Sequence, residues 1–222
     1  MVKTVLLLFS LLITAISFSQ TLEYGELSGN YSLLIPEKNM KRLIVALHGS
    51  GERANMYIDN WEKEAVKLNY YILAINSGNQ DGWSTLDTPH ILSLVNEVKQ
   101  KYGIKYTLLN GASSGGHFAL YLGINYPEYF NAIATFMGLV ITPFGQYINY
   151  QTLEANKIPI LLIHGQKDDK IPISYARQNY QFLQNKKYNV TYWEEKEMQH
   201  EHYRKDNSKI ISWFEALIKK LP

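Results

Sequence analysis

Ten residues constrain this chain more than any other stretch: Leu108-Leu109-Asn110-Gly111-Ala112-Ser113-Ser114-Gly115-Gly116-His117. They read as an apolar strand end, a glycine-serine turn and a helix start. Inside lies Gly111-x-Ser113-x-Gly115, the nucleophile-elbow pattern. A serine on so tight a strand-to-helix turn has strained backbone angles, and its neighbours two residues away must lack bulk. The turn lifts the Ser113 hydroxyl above the sheet and aims the Ser114 N–H, at the helix N-terminus, toward developing negative charge. The same letters also describe a plain loop. Context separates the two readings: an apolar run over 105–109 precedes the turn, and an apolar helical stretch over 118–126, stopped by Pro127, follows it.

The rest of the chain supplies a matching frame. Short apolar runs over 31–35, 42–47, 71–75, 132–136, 158–163 and 189–195 read as further strands, several of them continuous enough to be buried on both faces. Helical patterns fill 59–70, 88–102, 173–185 and 206–221, with Pro89 at the start of the second, Gly103 at its end and Asp206 as a candidate cap of the last. Strands alternating with helices imply βαβ units and a parallel sheet. The connection over 138–157 has no strong periodicity and is too short for a separate cap domain.

The first 19 residues are set apart. Lys3 gives a positive start, residues 5–16 are apolar apart from Ser10 and Thr14, and Ser17 and Ser19 are small. This is the pattern of a secretory signal peptide, with residues 20–222 as one exported domain, periplasmic or extracellular. The apolar run is short for a spanning helix, so no membrane insertion is expected after cleavage. A formal charge of +2 offers no electrostatic case for nucleic acid. The absence of cysteine removes disulfides and thiolate chemistry.

Three strand ends carry chemistry. Residues 47–53 read Leu-His-Gly-Ser-Gly-Glu-Arg; residues 164–172 hold His164, Asp168, Asp169 and Ile171-Pro172; residues 198–202 read Met-Gln-His-Glu-His. In an open α/β sheet these loops meet beyond the carboxyl ends of the strands. The motifs, in this order, resemble those of the α/β-hydrolase superfamily, nearest its small lidless serine esterases of the dienelactone-hydrolase, phospholipase/carboxylesterase and secreted carbohydrate-esterase types. Gln199 stands where relatives often have glycine. The resemblance implies an α/β-hydrolase fold, a mostly parallel central sheet with helices on both faces and no large cap domain. It implies carboxylic ester hydrolysis by Ser113 as nucleophile, His200 as base and Asp168 as its partner. The oxyanion would lie between the Ser114 N–H and an N–H of Ser50 or Gly51. No cofactor or metal is implied, and the partner is a small-molecule or polymer-bound ester.

Competing assignments stand beside these. His202 competes with His200, and Asp169 with Asp168. His48 and His164 read as structural residues bonding loop backbone, His117 as a local packing residue, and His90 as exposed. Glu52-Arg53 reads as a turn-bracing ion pair. Trp83, Phe144, Tyr147 and Tyr150 are candidate flat walls of a cleft for short-acyl or aromatic-acid esters, carbohydrate esters among them; Trp83 reads equally well as a packing plug. A peptidase of the same fold and a non-catalytic binding protein on this scaffold are the alternatives in function.

Overall fold

The computed structural model describes residues 21–24, 31–79, 81–149, 156–202 and 207–221. The signal peptide expected over residues 1–19, Tyr150 and the cap Asp206 lie outside the described residues. Eight strands form one sheet: β1 (Thr21–Tyr24), β2 (Tyr31–Ile35), β3 (Arg42–Leu47), β4 (Tyr71–Ile75), β5 (Tyr106–Ala112), β6 (Ala132–Phe136), β7 (Ile160–Gly165) and β8 (Val190–Glu195). Their order is β1-β2-β4-β3-β5-β6-β7-β8. The first two pairings are antiparallel and the rest parallel.

The helices are α1 (Ala54–Leu68), α2 (Thr88–Tyr102), α3 (Ser114–Asn125), α4 (Ile173–Asn185) and α5 (Asn207–Ile218). They divide between the two faces because side chains alternate along each strand. Leu43, Val45 and Leu47 of β3 join a core with Leu94 and Val98 of α2, Phe118 and Leu122 of α3, and Leu183 of α4. Ile44 and Ala46 point the other way, into a core with Tyr57 and Trp61 of α1 and Ile210 and Phe214 of α5. Strands covered on both faces must be apolar throughout, which is why β3, β4, β6 and β7 read as continuous hydrophobic runs. Helix α3 is buried almost all round, from Phe118 to Ile124, as a helix without a polar stripe must be.

One polar group sits at the centre of this frame. Asn110 of β5 is fully buried. Its Oδ1 accepts from Tyr57 Oη at 2.8 Å and Trp61 Nε1 at 3.2 Å, and its Nδ2 donates to Ala134 O at 2.8 Å. A buried amide is tolerated only when its donors and acceptors are met. Here it also ties α1 to the strand that carries the elbow.

The connection after β6 holds a 3-10 helix, Pro143–Tyr147, whose start is capped by Thr142 Oγ1 accepting from Phe144 N at 3.3 Å.

Candidate active site

The elbow is built by close backbone approach. A Cβ on Gly111 would lie 2.2 Å from Gly115 O, and one on Gly115 would lie 2.3 Å from the carbonyl oxygens of Leu47 and His48. No side chain fits at either position. Ser113, held between them, has φ 51° and ψ −118°, a strained conformation for a residue with a Cβ. Its N–H donates to Phe136 O at 2.8 Å, which pins the turn to β6.

Three side chains from different loops converge there. Ser113 Oγ donates to His200 Nε2 at 3.0 Å. His200 Nδ1 donates to Asp168, 3.0 Å from Oδ1 and 2.9 Å from Oδ2. A carboxylate can only accept, so Nδ1 carries the proton and Nε2 is left with its lone pair toward the serine. The Asp168 side chain is fully buried, whereas that of His200 is 21% exposed. Asp168 Oδ1 also accepts from the N–H groups of Lys170 and Ile171, at 2.9 and 2.8 Å. These bonds fix the carboxylate in the plane His200 needs. The competitors lie elsewhere: Asp169 is exposed on the same loop, and His202 Nε2 meets Glu52 Oε1 at 2.7 Å.

The serine opens into a cleft of about 510 Å³ lined by Ser50, Glu52, Met137, Lys170, Ile171 and His202 among others. The turn after β3 and the start of α3 face each other across Gly82: a Cβ there would lie 3.5 Å from Ser50 Oγ and 3.9 Å from Ser114 Cβ. Ser114 is the first residue of α3, so its N–H is one of those a helix leaves unpaired. Of the two turn candidates Ser50 lines the cleft and Gly51 does not; Gly51 turns the chain with φ 77°. Gly49 is excluded as a donor, since its N–H is taken by Glu52 Oε2 at 2.9 Å.

Three other histidines bond to loop backbone. His48 Nδ1 donates to Gly49 O at 2.7 Å and its Nε2 accepts from Ser77 N at 3.2 Å. His164 Nε2 donates to Ile171 O at 2.8 Å and lies 3.2 Å from Asp168 Oδ2. His117 Nδ1 accepts from Leu139 N at 2.9 Å. Burial, then the neighbouring His200 and His164, pulls its pKa down from 6.5 to about 4. His48 and His164 are also lowered, chiefly by burial. A histidine with a depressed folded pKa stays neutral while the unfolded chain takes up a proton, so stability falls as pH drops from about 6.5 toward 4. His117 alone contributes at most about 3 kcal/mol to that loss. Thermal unfolding across this window is expected to show a falling Tm, and His117→Asn a shallower fall; equal slopes would refute the assignment.

Several expectations need correction. Trp83 does not wall the cleft. It is 7% exposed, stacks on Phe118 at 5.4 Å and donates Nε1–H to His48 O at 2.8 Å, so it plugs the loops over α3. Phe144 packs against Phe118 and Tyr121 and is likewise committed to the core. Tyr147 is 55% exposed but does not line the cleft. Glu52 braces its turn without Arg53, which is exposed at the start of α1. His90 is half-buried, its Nε2 without a partner among the described residues. Ile171, quoted in the sequence only as part of the motif with Pro172, lines the cleft, as does Met137, which was not singled out; the place of Met137 just past the carboxyl end of β6 was the available signal. Among the described residues no group of three or more His, Asp or Glu is disposed to hold a metal ion.

Residues 85–218 match the Phospholipase/Carboxylesterase family. No curated protein matches the chain. Among solved structures, esterase PE8 is 23% identical, with a TM-score of 0.64 over 80% of this chain and 93% of its own. TT1662 from Thermus thermophilus is 18% identical, with a TM-score of 0.70 over 90% and 99%. An acylaminoacyl peptidase from Pyrococcus horikoshii is 19% identical, with a TM-score of 0.66 over 86% of this chain but only 40% of the peptidase. These structural likenesses carry the fold, and the family match carries membership: the chain belongs to the phospholipase/carboxylesterase family of α/β-hydrolases.

Proposed function

We propose that this chain is an exported serine hydrolase that cleaves short-acyl carboxylic esters through an acyl-enzyme. The observation that carries the reading is the unbroken relay from Ser113 Oγ through His200 to Asp168, with bonds of 2.9–3.0 Å. A serine hydroxyl is a poor nucleophile at neutral pH and needs a hydrogen-bonded base. His200 takes the proton as Oγ attacks the carbonyl carbon, then returns it to the departing alkoxide. Asp168 holds the Nδ1–H tautomer and stabilises the imidazolium. The carbonyl oxygen, now an oxyanion, sits toward the N–H groups of Ser114 and Ser50. Water repeats the cycle on the acyl-enzyme.

The substrate range follows from the cleft. Its lining mixes Glu52, Lys170 and Glu201 with Met137 and Ile171, which suits a compact polar ester better than a long alkyl chain. The case for aromatic acids and sugars weakens, because Trp83 and Phe144 are spent on packing. Export rests on the leader pattern over residues 1–19 alone.

A nitrophenyl ester series from acetate to palmitate tests the substrate claim, with kcat/KM expected to peak at the short esters. A steady rise with chain length, or efficient amide cleavage, would refute it. A fluorophosphonate should add once, at Ser113, and the intact mass of the labelled secreted protein should correspond to a chain beginning near Gln20.

A further inference from the structure

We infer that Glu52 is a positioning residue that sets the oxyanion turn in register with the loop carrying His200. Its two carboxylate oxygens face two different parts of the machinery. Oε2 accepts from Gly49 N at 2.9 Å, while Glu52 N donates back to Gly49 O at 3.3 Å. The turn that presents Ser50 is thus closed from both sides. Oε1 meets His202 Nε2 at 2.7 Å, two residues beyond His200.

His202 is itself held firmly. Its side chain is 11% exposed. Its ring stands edge-on to Tyr57, centroids 4.9 Å apart, and to Phe136 at 6.3 Å. Tyr57 Oη in turn donates to Asn110 Oδ1, three residues before Ser113 on the elbow strand. A continuous path therefore links the nucleophile's strand, the histidine loop and the oxyanion turn, and Glu52 is its last member. Burial works against the Glu52 charge, but the His202 and Gly49 hydrogen bonds outweigh it and hold the carboxyl below its usual range. A charge-assisted bond is shorter and stronger than a neutral one, which suits a strut between two loops. An oxyanion donor is useful only when aimed at the place the charge will occupy, so a displaced turn costs rate without costing substrate binding.

The inference rests on the ester-hydrolase reading and is tested with nitrophenyl acetate and a trifluoromethyl ketone. In the ketone adduct Ser113 Oγ bonds to the carbonyl carbon, the serine proton passes to His200, and the carbonyl oxygen becomes the oxyanion. Rates are taken per active site, titrated with a fluorophosphonate, so that misfolded protein is not counted. Glu52→Ala is expected to lower kcat about 10- to 100-fold, to leave KM within about twofold, and to weaken ketone inhibition in the same ratio as kcat. Glu52→Gln should recover most of the loss, since its amide oxygen can accept from Gly49 and its NH2 can donate to the other tautomer of His202. His202→Ala should resemble Glu52→Ala, and the double variant should be no worse than either. Should Glu52→Ala not fold, His202→Ala carries the same test. Wild-type kcat per site and wild-type ketone inhibition, with only Tm lowered, would mark a merely structural brace and overturn the inference. A wild-type protein that hydrolyses no ester would overturn the reading beneath it, and the inference with it.

Discussion

Ser113→Ala is expected to reduce ester turnover by about a thousandfold or more, because members of a serine relay act as a unit and the residual rate comes from the oxyanion site and binding. The expectation is sharp because the substitution removes so little else. Alanine keeps the Cβ, so the φ of 51° at this position is no more strained than with serine. The Ser113 N–H bond to Phe136 O is untouched. Among the described residues the hydrogen bond lost is the 3.0 Å one to His200 Nε2, and that ring edge faces a cleft from which water can replace the hydroxyl. Tm should therefore stay close to wild type while phosphonate labelling disappears. Ser114→Ala makes the control. Its Oγ is buried without a partner among the described residues, and only its N–H belongs to the proposed oxyanion site, so activity should persist. An alanine at 113 that keeps most of the esterase activity would remove the serine mechanism altogether.

The elbow was legible in sequence because sterics admit only glycine at 111 and 115; the strand ends narrowed the carboxylate to Asp168 or Asp169 and the histidine to His200 or His202, and the preference for Asp168 and His200 came from the resemblance and motif spacing. Strand limits at 31–35, 42–47, 71–75 and 132–136 also emerge from composition alone, since burial on both faces forces an apolar run that polar loops interrupt. Helix α1 is different. Its expected start was near 59, yet it begins at Ala54. No local residue caps it; Asn76 Oδ1, from the loop after β4, accepts from Ala54 N at 2.7 Å instead. A cap supplied from 22 residues away leaves no local mark.

Side-chain partners were the least legible part. Trp83 and Phe144 are aromatic residues in loops, and composition cannot tell a wall from a plug; that is decided by Phe118, which both of them contact. Glu52 stands beside Arg53 in the chain, yet adjacent side chains at the entry to a helix diverge, and its actual partner is 150 positions away. The choice between His200 and His202 is of the same kind. Both reach the cleft, and only the registry of the loop after β8 assigns one to Asp168 and the other to Glu52.

Asp168→Asn is expected to lower kcat by about 10⁴-fold, while Asp169→Asn leaves it near wild type. The reason lies in which oxygen can be replaced. Oδ1 accepts from two backbone N–H groups, those of Lys170 and Ile171, so an asparagine must keep its carbonyl oxygen there. The NH2 then falls at the Oδ2 position, 2.9 Å from His200 Nδ1 and 3.2 Å from His164 Nε2. Oδ1 also lies 3.0 Å from Nδ1, but its two lone pairs are engaged by the Lys170 and Ile171 N–H groups, so the new donor at the Oδ2 position favours the tautomer with its proton on Nε2. That nitrogen can no longer accept from Ser113 Oγ, so the serine loses its base although every heavy atom stays in place. His164 has another acceptor in Ile171 O and need not move. The variant should bind substrate with little change in KM and still fold, and its rate should rise with pH as hydroxide replaces the missing base. Steady-state kinetics from pH 6 to 10 on both variants decide the matter, those limits being chosen to span the ordinary histidine range and the onset of hydroxide catalysis, roughly. A slow Asp169→Asn beside a fast Asp168→Asn would move the acid to Asp169 and break the relay drawn from the structure.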